Sequence, residues 1–188
     1  MALFVAGLIV FLGVHLLPTA QPLRARLVAA LGDRPYRGAF ALVSLAGFAL
    51  IIVGYGMAKR GPQLFAPSQA AIAAAPYVVT IALVLFAAAN MRGHTRRVVK
   101  HPMLLGLALW AGVHLAANGD LRGTILFAGF LGYAAIDFVS VVQRHAVKTF
   151  EPVPRHDAIA VIAGIVVAIV VMWVHRPLFG VSVVPWGV

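Results

Sequence analysis

The chain has 188 residues, of which 62% are hydrophobic and 11% are charged, and its mean hydropathy is +0.98. Soluble domains carry roughly 25% charged residues, so this composition excludes a disordered chain, argues against a soluble fold and indicates an integral membrane protein. The net charge of +10 does not predict a nucleic-acid partner, because the basic residues lie in short gaps between apolar runs and not on one face.

Six apolar runs follow one another along the chain. Each has roughly the 17–25 residues with which a helix crosses a hydrocarbon layer ~30 Å thick. They cover residues 2–18, 38–57, 70–91, 101–117, 123–143 and 158–174. None shows the alternating pattern of a β-barrel strand. The predicted fold class is therefore all-α, a polytopic membrane protein with six transmembrane helices that form a single domain over residues 1–188.

The loops differ in their charge, and this difference predicts orientation. Eleven of the 15 Lys and Arg residues lie in the first, third and fifth loops, whereas the other side has only Lys59, Arg60, Arg122 and Arg176. The positive-inside rule places the basic loops in the cytoplasm and both termini outside it. We therefore expect a multi-pass protein of a bacterial inner membrane with periplasmic termini, whose basic loops contact anionic lipids.

A short internal repeat links the first and fourth runs. The sequence GVHL at 13–16 recurs at 112–115, and Phe11 corresponds to Trp110 at the same offset. Each half would hold three helices, and an odd number inverts the second half relative to the first. The repeat thus raises the hypothesis of two inverted three-helix halves related by a pseudo-two-fold axis in the membrane plane.

Three ionisable residues lie well inside apolar runs, namely His15, His114 and Asp137. Such residues are costly in lipid and usually face the bundle interior. Neutral imidazole is a common axial ligand of haem iron, so one hypothesis is a b-type haem held by the two histidines. The alternative is that both are hydrogen-bonded packing residues. Asp137 would orient the His15 ring, or instead bond Tyr133 or a backbone group.

The depths of the histidines bear on this hypothesis. At 1.5 Å per residue, His15 lies about 7 Å to the cytoplasmic side of its run's centre and His114 about 7 Å to the outer side. A haem tilted across the pseudo-two-fold axis would suit one histidine above it and one below. The competing pair is His15 with His101, because both lie in the cytoplasmic half.

Two segments carry a family resemblance. They are KHPMLLG at 100–106, continued by LWA at 109–111, HL at 114–115 and NGD at 118–120, and FLGVH at 11–15, followed by DRPYR at 33–37. These segments resemble the signature of the NnrU family, and the resemblance covers essentially the whole chain. NnrU proteins are bacterial membrane proteins linked to denitrification, and the family is similar to the plant zeta-carotene isomerase, a membrane enzyme that uses haem b.

This resemblance implies that haem b is the cofactor, with His15 and His114 as its ligands. It further implies a role in nitrite and nitric oxide metabolism or as a cis-trans isomerase of a lipophilic polyene. Nitric oxide, such a polyene and a membrane reductase are the corresponding partners. Whether the protein is an enzyme stays open, since a non-catalytic assembly factor is an alternative.

A second resemblance gives another alternative. The pattern HPxxxG at 101–106 is similar to membrane methyltransferases of the isoprenylcysteine and phospholipid type. Those enzymes have a downstream acidic residue and a tyrosine within the motif. Here Glu151 is the acidic residue that follows in the adjoining loop, and Leu104 stands at the tyrosine position.

Overall fold

The computed structural model describes residues 1–147 and 149–184, and over these residues every regular element is a helix. The eight helices are α1 Ala2–Leu16, α2 Gln21–Leu31, α3 Asp33–Met57, α4 Gln69–Ala88, α5 His94–Val99, α6 Pro102–Asn118, α7 Leu121–Gln143 and α8 Pro154–Phe179. The predicted all-α class is therefore confirmed.

Four of these helices, α3, α4, α7 and α8, are long and apolar enough to cross a membrane, and a fifth span results if the bent pair α1 and α2 is counted as one. The chain is thus a helical protein suited to a membrane, but its helix lengths do not establish six spans. The 15 residues of α1 and the 17 of α6 measure about 22 and 25 Å.

Proline and glycine set these shorter lengths. Pro18 has no backbone N–H with which to continue the helix, and α1 ends at Leu16 where residues up to 18 were predicted. Pro102 occupies the first turn of α6, and Gly119 ends it in the left-handed conformation with φ of 82°. The short helices α2 and α5 were not predicted, because their basic sequences lack the long apolar run used to identify spans.

The helix contacts run in the order α3, α1, α7, α6, α4 and α8, with extensive packing between neighbours except for a smaller contact between α1 and α7. If the chain formed two inverted halves, α1 would correspond to α6 and α4 to α8. The α4–α6 contact would then have an equivalent between α8 and α1. The extensive contacts among the described residues do not include that pair. The α1–α3 and α6–α7 contacts do correspond in such an arrangement, so the inverted halves stay a prediction.

Glycines bring several backbones into direct contact. A β-carbon on Gly54 would lie 2.5 Å from the backbone nitrogen of Phe4, so α1 and α3 pack without side chains between them at this point. Likewise a β-carbon on Gly106 would lie 2.8 Å from the Ala82 carbonyl oxygen, and one on Gly164 would lie 2.5 Å from Val84 Cα. Small residues of this kind allow close packing of membrane helices.

We call α1 and α3 the first block, and α4, α6, α7 and α8 the second block. Their outer surfaces are apolar: more than half of the side-chain surface of Leu45, Ile52, Ile162 and Val166 is exposed. Exposed apolar surface on long helices is what contact with lipid tails requires. The bilayer is thus the environment that these helices suit.

Candidate functional site

His15 and His114 make the same local hydrogen bond. His15 Nδ1 lies 2.7 Å from the Phe11 carbonyl oxygen, and His114 Nδ1 lies 2.8 Å from the Trp110 carbonyl oxygen. A carbonyl oxygen only accepts, so Nδ1 must carry the hydrogen. In the neutral ring, Nε2 then keeps its lone pair. In both histidines, Nε2 is therefore the nitrogen that is able to coordinate a metal ion.

Three aromatic rings lie between the two histidine segments. The Phe130 ring of α7 stands 5.9 Å from the Phe11 ring of α1 and 5.6 Å from the Trp110 ring of α6, measured between centroids. We call Phe11, Phe130 and Trp110 the aromatic layer. It crosses from the first block to the second at the α1–α7 contact.

The two histidines lie at different heights in the bundle. The His15 ring stands edge-on to Tyr133 at 6.2 Å, while the His114 ring stacks on Phe127 at 4.9 Å. Along α7 the order is Phe127, Phe130 and Tyr133, so these contacts are about 9 Å apart. The histidines thus flank the aromatic layer, one on each side.

Asp137 contacts the residues around it on α7 and at its end. It accepts a hydrogen bond of 3.2 Å from the Tyr133 hydroxyl, and Arg144 Nη2 lies 3.6 Å from its other oxygen. The sequence also suggested a direct bond from Asp137 to His15. The hydrogen bonds of the described residues include none between them, because His15 Nδ1 already bonds the Phe11 carbonyl. Asp137 reaches His15 only through the Tyr133 ring.

A cavity of about 280 Å³ opens at the end of the bundle that carries α5. We call it the basic cavity, since Arg96, Lys100 and His101 line it together with Tyr133 and Asp137. The side chain of Asp137 is only 17% exposed, whereas Lys100 is an exposed residue at the rim. Neither His15 nor His114 lines this cavity.

His101 belongs to this cavity and not to the aromatic layer. It immediately precedes α6, and its ring stands edge-on to Phe138 at 6.3 Å. Burial lowers the pKa of the His101 imidazole below its ordinary value, with Lys100 and Arg144 acting in the same direction and Asp137 against them. The fixed positive charge of the cavity comes from Arg96 and Lys100.

The helix that carries Arg96 is held in place by α8. The Asp157 carboxylate accepts hydrogen bonds from the backbone nitrogens of His94, at 2.7 Å, and Thr95, at 2.9 Å. The backbone nitrogen of Arg92 donates to His156 Nδ1 over 3.1 Å. These bonds use the otherwise unpaired N–H groups at the start of α5, and they fix the position of one wall of the basic cavity.

Comparison with known protein families gives one match. The family model described as NnrU protein matches residues 3–183. Neither the curated proteins nor the solved structures contain a match. The matched region includes both histidines, the aromatic layer and the basic cavity, and leaves only a few residues at each end. The chain therefore belongs to the NnrU protein family.

Proposed function

We propose that this protein binds one b-type haem with His15 and His114 as its axial ligands. The observation that carries the proposal is the pair of histidine rings on either side of the aromatic layer, each with Nδ1 bonded to a carbonyl oxygen. Histidine is a common ligand of haem iron. The Nδ1 hydrogen bonds to Phe11 and Trp110 would orient the rings and increase the basicity of Nε2.

The two histidine nitrogens have the chemistry that this cofactor requires, but the space between them is occupied by aromatic side chains. The Phe130 ring lies between the heights of the two histidines and contacts both other rings of the aromatic layer. Its side chain would have to turn aside to admit a porphyrin. Phe40, 5.3 Å from His15, and Phe127, 4.9 Å from His114, would then provide apolar surface beside each ligand.

The same proposal includes six membrane crossings. α1 and α6 are shorter than the ~30 Å hydrocarbon layer, but a short helix is accommodated by local thinning of the bilayer. Both are packed against longer helices, α3 and α4. With six crossings, the basic first, third and fifth loops would lie in the cytoplasm and both termini in the periplasm of a bacterial inner membrane.

A bound haem would supply an iron atom that can bind nitric oxide or interact with the double bond of a polyene. The corresponding functions are a role in nitrite and nitric oxide metabolism, alongside a membrane reductase, or cis-trans isomerisation of a lipophilic polyene. His15 and His114 come from different blocks, so the two residues that would hold the iron lie on either side of the contact between α1 and α7.

The ligand pair is tested by absorption spectra of the full chain, purified after expression with haem supplied. His15→Ala and His114→Ala should each abolish or strongly alter the Soret band, and a surviving fraction should become high-spin and bind carbon monoxide. His101→Ala and His145→Ala are the controls and should leave it nearly unchanged. Haem loss in His101→Ala with retention in His114→Ala would select the competing pair. If the wild-type protein bound no haem, the alternative that both histidines are packing residues would be supported.

A second experiment distinguishes the two functions. Nitric oxide and a cis polyene are offered separately to the haem-loaded protein in detergent, with and without dithionite. Turnover of the polyene only when the iron is reduced supports the isomerase. A change in the spectrum on adding nitric oxide, without polyene turnover, supports nitrogen-oxide chemistry. Equal isomerisation by haem-free protein would reject a haem-dependent isomerase.

A further inference from the structure

The basic cavity is lined by two cations, Arg96 and Lys100, whose charges no carboxylate of the described residues neutralises. Over residues 1–147 and 149–184, neither Arg96 nor Lys100 forms an ion pair. The one carboxylate that lines the cavity, Asp137, already faces Arg144 and accepts a hydrogen bond from Tyr133. The cavity therefore presents a net positive charge to whatever enters it.

The helix that carries Arg96 and the backbone of Lys100 are both constrained. The Arg96 guanidinium lies over the Phe150 ring at 5.4 Å, and the Asp157 hydrogen bonds fix the start of its helix. Lys100 has a φ of 63°, a conformation that glycine adopts far more easily than lysine. A lysine kept in this strained conformation at a cavity rim is consistent with a role for its side chain.

The rest of the wall is apolar and includes Pro102, Leu104, Val141 and Phe150. A volume of about 280 Å³ is near the lower end of small-molecule sites, so it suits a head group and the first carbons of a chain. The cavity lies where α4 and α7 end and α6 begins. In a membrane this is the boundary between head groups and lipid tails.

We propose that the basic cavity binds an anionic, phosphate-bearing amphiphile, with Arg96 and Lys100 contacting the phosphate and the apolar wall contacting the adjoining carbons. Arginine and lysine are the usual phosphate ligands of proteins, and basic pockets between membrane helices bind anionic lipid head groups. The surrounding bilayer is the nearest source of such a molecule. The site shares no ligand residue with His15 and His114, so the proposal stands independently of haem.

The test uses the full chain in detergent and counts bound lipid by native mass spectrometry. Phosphatidylglycerol is the anionic probe and phosphatidylcholine the zwitterionic one. Arg96→Gln should lower phosphatidylglycerol retention about tenfold, the worth of a charge-assisted hydrogen bond. Arg97→Gln is the matched control, because it removes the same charge from the same helix at an exposed position that does not line the cavity.

Lys100→Gly separates lipid binding from folding. Glycine relieves the positive φ, so the variant should unfold at the same temperature as the wild type or a higher one, yet retain less phosphatidylglycerol. Competition with millimolar glycerol phosphate identifies the source: displacement supports the same phosphate site with a soluble ligand, and persistence supports a lipid. Equal loss in Arg96→Gln and Arg97→Gln, or equal retention of both lipids, would overturn the proposal.

Discussion

Tyr133 donates its hydroxyl hydrogen to Asp137 over 3.2 Å, one turn further along α7. The same ring stands edge-on to His15 on the opposite block, at 6.2 Å. Tyr133 also lines the basic cavity. A single side chain thus contacts one candidate haem ligand and one wall of a separate candidate site.

Tyr133→Phe tests how much this hydrogen bond contributes. The ring and its contact with His15 remain, while Asp137 loses one donor. We expect the unfolding free energy to fall by about 0.5–1.5 kcal/mol, measured by thermal unfolding in detergent, with only a small shift of any Soret band. Tyr77→Phe is the control, because Tyr77 is 75% exposed. Loss of haem as complete as in His15→Ala would show that Tyr133 has a larger role at the iron.

Phe130→Leu should increase haem uptake. The change removes the central ring of the aromatic layer and leaves both Nδ1 hydrogen bonds intact. Stability should fall by about 1–3 kcal/mol, since a large-to-small change in a packed region leaves a void, while the fraction of protein loaded with haem rises. The measurement is a haem titration followed at the Soret band. Phe138→Leu, on the same helix and 48% exposed, should change neither quantity, and unaltered uptake by Phe130→Leu would argue against haem at this layer.

Gly54→Ala tests the close contact between α1 and α3. The added methyl group would meet the Phe4 backbone, and overpacking of this kind costs about 1–3 kcal/mol. Gly56→Ala, two residues further on the same helix, meets nothing within 4 Å and should be neutral or stabilising by about 0.5–1 kcal/mol. Thermal unfolding of the two variants side by side gives the comparison. Equal melting temperatures would contradict the packing described for the first block.

Orientation in the membrane is tested with reporter fusions. A fusion to the C-terminus should be active with a periplasmic reporter and inactive with a cytoplasmic one, because the charge asymmetry of the loops places the basic side inside. A fusion after Arg97, in the third loop, should behave in the opposite way. A cytoplasmic C-terminus would remove the proposed topology.

Much of the fold was predictable because hydropathy reports directly on lipid-facing helices. All six apolar runs correspond to helices, and the errors lie at their ends. α3 begins at Asp33 and α8 extends to Phe179, since a helix continues into polar residues that a hydropathy window excludes. The order of packing was not predictable, because it depends on where single glycines such as Gly54 and Gly164 allow two backbones to touch.

The two histidines of the candidate site were predicted from the sequence, whereas the Phe130 ring between them was not. His15 and His114 were identifiable as histidines in apolar runs. Tyr133 was predicted only as a possible partner of Asp137, and Phe130 was not identified, since aromatic residues are common in membrane helices. Their spacing of three residues, shared with Phe127, places all three near one face of α7 and was the available signal. Arg96 and Lys100 were predicted only to contribute to the positive charge of the third loop. A cavity formed by four helices has no signature in the sequence of any one of them.

The glycine contacts within each block have a consequence for how a large apolar molecule enters the protein. The first block cannot loosen internally without separating backbones that touch, and Gly106 and Gly164 hold α6 and α8 to α4 in the second. The contact between α1 and α7 is smaller, so its separation would require less free energy than that of the other helix pairs. A large apolar molecule that entered from the lipid phase would therefore pass most easily through the α1–α7 contact, at a rate set by how readily the two blocks separate. A covalent cross-link between α1 and α7 would slow loading, while the affinity of a molecule already inside would change little.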